Sequence, residues 1–293
     1  MFYIFYGFVW LITWLPLRVL YLFSDFAYLL IYYLVGYRKK IVRNNLRNSF
    51  PNKTDKEIRK IEKKFYRFFC DTFIEALKKI HISDDEMKRR FVYENSHLVL
   101  EHLDNGKTVI LMTAHYGNWE WFSSFSLHVD RKYSVTQIYQ TIKNKNFNEF
   151  MLKLRSKFAT VNVERSQALR SIIKMKNEGI ATIFGILSDQ SPRKSSIHYY
   201  THFLNQDTPV ITGAETFAKK TNFPVVFGKV SRPKRGYYHM EFIPITLDPS
   251  QTTDFEITET YMRLLEKEIE EAPEYWLWTH KRWKHARKNT DNA

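Results

Sequence analysis

The sequence predicts an α/β fold, with a mostly parallel central sheet flanked by helices. Three features of its 293 residues support this. From about residue 108 onward, short β-prone apolar runs alternate with longer helix-patterned segments, the pattern of βαβ units. Within that alternation, residues 180–187 form the most continuous apolar run, as expected of a strand covered on both faces. Ahead of it stands a block dense in Phe, Tyr, Trp, Leu and Ile, residues 2–37. That block reads as an N-terminal membrane-anchoring helix or hairpin.

Only Arg18 and Asp25 are charged between residues 2 and 37, and the uncharged run 2–17 is slightly short of the ~20 residues of a membrane span. Pro16 is expected to end or kink the first helix. No basic segment precedes the run and no small-residue cleavage site follows, so the block reads as a retained anchor of one tilted span or an interfacial hairpin. The alternative is a buried helix pair, but so many Tyr and Trp suit a membrane interface better. Residues 38–67 then hold twelve Lys/Arg against three Asp/Glu. Positive charge directly after the apolar block places the body on the cytoplasmic side. The same charges form either a solvated helix face or a collar for anionic headgroups.

In this basic region a helical pattern breaks at Asn48-Ser49-Phe50-Pro51-Asn52 and restarts at Thr54-Asp55-Lys56-Glu57, a capping-box signal. Further along, strands are expected at 109–113, 135–139, 161–163, 180–187, 224–230 and 238–245. Helices are expected at 118–127, 147–158, 167–176, 213–220 and 257–271. A long polar loop is expected at 188–207.

The net charge of +14 and pI near 9.6 call for an anionic partner. Basic residues with 16% aromatics suit single-stranded nucleic acid or a membrane interface. No nucleic-acid motif is present, and the aromatics concentrate near the N-terminus, which favours the membrane. The single cysteine, Cys70, excludes an intrachain disulfide, and its aromatic helical surroundings favour packing over nucleophilic chemistry.

The run Thr113-Ala114-His115-Tyr116-Gly117-Asn118-Trp119-Glu120 follows the strand expected at 109–113. Ligands of α/β sheets sit at the C-terminal ends of strands. There His115 can take a proton from a hydroxyl near neutral pH, and Glu120 can accept the other ring N–H and fix the tautomer. Gly117 allows a tight turn and Asn118 is a good N-cap, leaving N–H groups free to stabilise an oxyanion. By spacing alone, the pair also fits a strand-end histidine and an ordinary first-turn Glu. Asp189 and Gln190 follow the apolar run 180–187; they either contact an acceptor or support the His115 loop, or Asp189 merely caps its own loop. Arg155 and Arg165 suit an acceptor phosphate or carboxylate, or are solvated charges. His97, His102 and His128 lack metal-ligand spacing, so no metal or other cofactor is expected.

The run 115–120 resembles the His-four-residues-acid motif of the bacterial lipid A biosynthesis acyltransferases, within the wider glycerolipid acyltransferase superfamily. Further stretches resemble that family in the same order: the apolar start with Arg38-Lys39-Lys40 and Asn45-Leu46-Arg47-Asn48-Ser49-Phe50-Pro51; Leu187-Ser188-Asp189-Gln190; Thr208-Pro209-Val210-Ile211-Thr212-Gly213; and Pro273-Glu274-Tyr275-Trp276-Leu277-Trp278-Thr279-His280-Lys281-Arg282-Trp283-Lys284. The chain departs from the family at Tyr139-Gln140-Thr141, where members often have Tyr-Arg-Pro, and at Phe203-Leu204-Asn205.

The resemblance implies transfer of a fatty acyl chain from acyl carrier protein or coenzyme A to a hydroxyl of a Kdo-bearing lipid A precursor. His115 would be general base and Glu120 its orienting acid. It also implies a location on the cytoplasmic side of the bacterial inner membrane. Residues 1–37 would be the anchor and 38–293 the acyltransferase domain, with a basic helical lead-in at 38–100 and the α/β catalytic core at 101–293. Acylation of another lipid, or non-catalytic binding at a basic membrane surface, are the other readings. Trp276, Trp278, Arg282 and Trp283 are expected to pack the C-terminal segment against the sheet. Lys281, Arg282, Lys284, Arg287 and Lys288 would add to the headgroup-facing surface.

Overall fold

The computed structural model describes residues 2–287. The apolar block folds as two helices, α1 (Phe2–Ile12) and α2 (Leu17–Leu29), separated at Pro16, which occupies the N-cap of α2. Proline is tolerated there because the N–H it lacks would have no partner in a helix start. α2 runs into a π-helical turn, Leu30–Val35, which ends at Gly36 with φ 63°. The continuous segment Leu17–Val35, 19 residues with mean hydropathy 1.4, is long and apolar enough to cross a membrane.

One face of that segment nevertheless docks on the protein. Leu17, Leu20, Tyr21, Ser24, Tyr28 and Tyr32 are buried, while Leu22, Phe26, Leu34 and Val35 on the other side are exposed. The docking partner is α4 (Asp55–Lys78), which follows α3 (Lys39–Ser49). The expected break falls between α3 and α4, and Thr54 and Glu57 form the reciprocal capping box. Cys70 is buried in α4, and burial pushes its thiol up to about 12.

α5 (Asp84–Arg90) leads into β1 (Phe91–Glu94), a strand inside the region expected to be helical. Four residues with only Phe91 and Tyr93 turned inward give too short an alternation to register as a strand. Thereafter come α6 (His97–Asp104), β2 (Val109–Thr113), β3 (Ser134–Tyr139), α7 (Lys145–Arg155), β4 (Val161–Glu164), α8 (Ala168–Asn177) and β5 (Thr182–Leu187). The chain continues through β6 (Tyr200–Phe203), β7 (Gln206–Pro209), α9 (Gly213–Thr221), β8 (Val225–Lys234), β9 (Tyr237–Thr246) and α10 (Glu256–Glu271).

The seven-stranded sheet has the order β1-β9-β8-β2-β5-β3-β4, and β8–β9 is its one antiparallel pairing among the described residues. β2 and β5 lie side by side near its centre, buried on both faces, as their apolar runs predict.

Two segments differ from expectation. The helix expected at 118–127 is a 3₁₀ helix, Trp119–Leu127, and Asn118 makes no capping bond, because its side chain is drawn to Glu75 beneath it. The expected loop 188–207 contains the hairpin strand β6 and the start of its partner β7. That hairpin turns at Leu204 and Asn205, with φ 48° and 61°, the left-handed pair of a two-residue hairpin turn. Its polar strands carry no apolar alternation to announce them.

A buried ionic network ties α2, α4 and the β8–β9 hairpin together. Asp71 accepts from Ser24 Oγ at 2.7 Å, Arg232 Nη2 at 2.8 Å and Arg235 Nη2 at 2.6 Å. Arg235 also reaches Asp25 at 2.7 Å. One turn further along α4, Glu75 accepts from Tyr21 OH, Tyr238 OH and Asn118 Nδ2, each at 2.7 Å. Hydrophobic packing is continuous from Leu17 through the sheet to Trp278.

Removing one partner of a buried ion pair costs about 3–5 kcal/mol, whereas an exposed pair contributes about 0–1 kcal/mol. Asp71→Ala is therefore expected to lower the midpoint of thermal unfolding in detergent far more than Asp55→Ala, which breaks the exposed pair with Arg47. Equal shifts would show that the network does not hold the N-terminal helix.

Candidate active site

His115 stands two residues beyond β2, at the C-terminal end of that central strand. The carboxylate at its ring is Asp189, not Glu120: His115 Nδ1 lies 2.8 Å from Asp189 Oδ1. Asp189 comes from the loop after β5, which pairs with β2 in register, Thr113 opposite Leu187. Two parallel strands thus end side by side and deliver the imidazole and the carboxylate to one place. Asp189 Oδ2 accepts from Trp276 Nε1 at 2.9 Å. Burial alone would raise the Asp189 carboxyl, but His115 and the Trp276 indole outweigh it and hold it below the usual range.

The C-terminal segment fixes the loop that presents His115. Leu277 N–H donates to the His115 carbonyl at 3.1 Å, and Gly117 N–H donates to the Tyr275 carbonyl at 3.0 Å. Tyr116 and Trp276 form an antiparallel bridge between the two segments. Gly117 turns with φ 58°, and a Cβ there would come within 2.5 Å of Val230 Cγ1. Glycine is therefore required both by conformation and by space.

Glu120 is engaged elsewhere. Arg155 Nε donates to Glu120 Oε2 at 3.1 Å and Arg155 Nη2 to Oε1 at 2.6 Å, a bidentate pair. Burial would raise the Glu120 carboxyl, but Arg155, with Lys79 and His115, holds it below the ordinary range. The buried Lys79 ammonium donates to the Glu120 carbonyl at 2.8 Å and to Ser123 Oγ at 2.6 Å. Thus the expected Glu120–His115 hydrogen bond is replaced by Glu120–Arg155 and His115–Asp189.

His115 opens on a cavity of about 410 Å³ that is also lined by Trp119, Glu120, Arg155, Arg165 and Gln190. Its wall also has an apolar part, including Phe122, Ile138, Ile186 and Phe217. The Gln190 amide nitrogen lies against the same ring, 3.2 Å from His115 Nε2 and 3.5 Å from Nδ1. Arg165 is exposed and, among the described residues, has no acidic partner, whereas Arg155 is committed to Glu120. Gly117 and Asn118 do not line the cavity. Gly117 shapes the turn and its N–H is already bonded; Asn118 is buried, with Nδ2 on Glu75.

The expected C-terminal packing residues Trp276, Trp278 and Arg282 are buried, so Arg282 cannot belong to a headgroup-facing surface; its Nη1 donates to the Pro209 carbonyl at 2.6 Å. Lys288 lies outside the described residues. Sequence reasoning missed Trp276 as a hydrogen-bond donor to the site, together with Lys79, Glu75 and His280. His280 Nε2 accepts from Ser191 N–H, and burial lowers its imidazole to about 4. The one available signal was a Trp and a His in the C-terminal stretch; Glu75 lies on α4 and Lys79 caps its C-terminus, in a sequence that reads as an ordinary amphipathic helix.

A family model described as bacterial lipid A biosynthesis acyltransferase matches residues 1–285. The chain belongs to that family. None of the curated proteins compared matches it significantly.

A double-mutant cycle on thermal stability is expected to couple Glu120 and Arg155 by more than about 1 kcal/mol, because either single change leaves a buried charge unpaired. No coupling there would mean the pair is incidental. The acid limb tests both carboxylates. Each is held below its usual pKa, so its stabilisation is complete above about pH 5 and fades as pH falls through the lowered value. Asp189→Asn should lose less stability than the wild type between about pH 4 and pH 2, measured by thermal unfolding. An identical acid limb would show that Asp189 is not held low.

Proposed function

We propose that this member of the bacterial lipid A biosynthesis acyltransferase family moves a fatty acyl chain from a thioester, on acyl carrier protein or coenzyme A, to a hydroxyl of a lipid A precursor. The observation that carries the reading is the His115–Asp189 pair, whose imidazole lines a cavity with both polar and apolar walls. With Nδ1–H donated to Asp189, the lone pair of His115 is at Nε2, on the side where an acceptor hydroxyl would displace the Gln190 amide.

In this mechanism His115 Nε2 takes the hydroxyl proton as the oxygen attacks the thioester carbonyl. Asp189 stabilises the imidazolium that forms. The tetrahedral intermediate collapses by breaking the C–S bond, and the imidazolium returns its proton to the departing sulfur. The products are an ester and a thiol, and no acyl-enzyme is formed. Glu120 acts one step removed: clamped by Arg155 and Lys79, it holds the loop that carries His115. Arg165 is the cation we assign to acceptor phosphate or carboxylate. The excess of positive charge would steer an acidic carrier protein toward the chain.

We assign α1 and α2 to the lipid interface as a hairpin lying in the membrane plane, with the body on the cytoplasmic side of the inner membrane. In support, Pro16 divides the apolar block and the inner face of α2 is docked on α4, so a free 19-residue span would require uncovering Tyr21, Ser24 and Tyr28.

The test is acyl transfer by detergent-solubilised protein, offered labelled acyl–acyl carrier protein or acyl-coenzyme A with a panel of lipid acceptors. Product is expected on a Kdo-bearing lipid A precursor. His115→Ala should abolish it, and Asp189→Asn should lower kcat about 10²- to 10⁴-fold with little change in KM. Product only on another lipid would discard the acceptor and keep the chemistry. Full activity in His115→Ala would sink the mechanism.

A further inference from the structure

A second cavity, of about 470 Å³, lies behind the catalytic loop, between the membrane hairpin and α7. Its apolar wall includes Tyr6 and Trp10 of α1 with Phe150 and Leu154 of α7. The Tyr6 and Phe150 rings meet edge-on at 5.8 Å, and Val9, Phe150 and Leu154 form a small apolar cluster of their own. α1 exposes Tyr3, Ile4, Phe8 and Leu11 beside this wall, so the membrane seating assigned to α1 brings the cavity to acyl-chain depth.

The polar part of this region is cationic. Lys153 is exposed and, among the described residues, has no hydrogen-bond or ion-pair partner. Lys157 donates to the carbonyls of Ile80 and Ile82, and Lys79 to the carbonyl of Glu120. The neighbouring Lys78 donates to the carbonyls of Thr13 and Leu15, in the turn between α1 and α2. Among the described residues none of these four ammonium groups forms an ion pair with a carboxylate, though the chain elsewhere pairs Lys64, Lys219 and Lys229 with acids. His81 bridges to Thr13 and stacks on Trp14 at 4.3 Å. Burial lowers both His81 and Lys157; Asp84 offsets part of the effect on Lys157, and Lys78 lowers both further. Neutral carbonyls hold Lys78, Lys79 and Lys157, and the carboxylates of Glu86, Glu120 and Asp84 offset their charge only from beyond ion-pair distance.

We propose that this cavity is a binding site for an anionic phospholipid, separate from the catalytic cavity. One acyl chain lies along Tyr6, Trp10 and Phe150, and the phosphate is held at Lys153 and Lys157. The chemistry selects an anionic amphiphile over a soluble anion, since half the wall is apolar and opens beside lipid-facing helix α1. The site adjoins the machinery at one residue: Lys79 lines this cavity and holds the carbonyl of Glu120.

The inference rests on the membrane seating of α1, and the test separates the two. Full-length Trp14→Phe protein keeps Trp10, on the cavity wall, as the membrane-proximal fluorophore. It is placed in two sets of vesicles of identical phosphatidylglycerol and phosphatidylcholine content. Bromine quencher is carried by the anionic lipid in one set and by the zwitterionic lipid in the other. Bulk surface charge is then the same, and only lipid enrichment at Trp10 differs. Stronger quenching from the anionic lipid is expected. Lys153→Glu, at an exposed side chain without partners, should cut that preference about fivefold, while Lys60→Glu on the exposed face of α4 leaves it unchanged. Equal quenching in both sets would overturn the site and leave the membrane seating intact. An equal effect of Lys60→Glu would reduce it to diffuse surface attraction and overturn the site. No quenching in either set would overturn the seating of α1 and the site with it.

Discussion

The candidate site depends on a short length of C-terminal chain laid against the His115 loop. Backbone hydrogen bonds at both ends of the contact, Gly117 to Tyr275 and Leu277 to His115, hold the loop. Between them, Trp276 turns its indole onto Asp189. A histidine after a strand is mobile unless its backbone is fixed, and a carboxylate orients an imidazole only if it is itself oriented. Residues 275–277 meet both needs. The π-faces of Trp276 and Trp278 meet edge-on at 4.7 Å, so the clamp is packed as well as hydrogen-bonded.

Behind this clamp the structure divides its acids by environment. Asp189 and Glu120 face cations or N–H donors and stay below the usual carboxylate range. Glu75 is wholly buried with two phenols and an amide for partners, and burial raises its carboxyl despite nearby Arg232. Glu120 lines the cavity and Asp189 backs His115 beside it, while Glu75, raised by burial as Glu268 also is, supports the loop from below. The Tyr21–Glu75–Asn118 chain links the apolar N-terminal helix directly to the motif loop. α2 is therefore part of the fold that shapes the site, and its other face is exposed and apolar.

Much of the architecture was legible in advance. The buried strands β2 and β5, the helices from α7 to α10, the capping box at Thr54 and the break at Pro16 each follow from local pattern. Such signals act over a few residues, and neighbours along the chain satisfy them. β1 was not legible because it is short and its pairing partner β9 lies far away in sequence, and the β6–β7 hairpin was not because its two strands are short and polar.

The sequence by itself determined the fold class, the apolar N-terminus and the family, and it singled out His115. It also placed Asp189, Gln190, Arg155 and Arg165 as residues of interest. Tertiary structure alone decided which acid meets that histidine. Sequence spacing pointed to Glu120, five positions along the chain, but a 3₁₀ turn carries it to Arg155. Asp189, 74 residues away, arrives because β2 and β5 are parallel neighbours in register. Hydrogen bonds respond to distance in space, and strand register, set by burial of the whole sheet, fixes that distance.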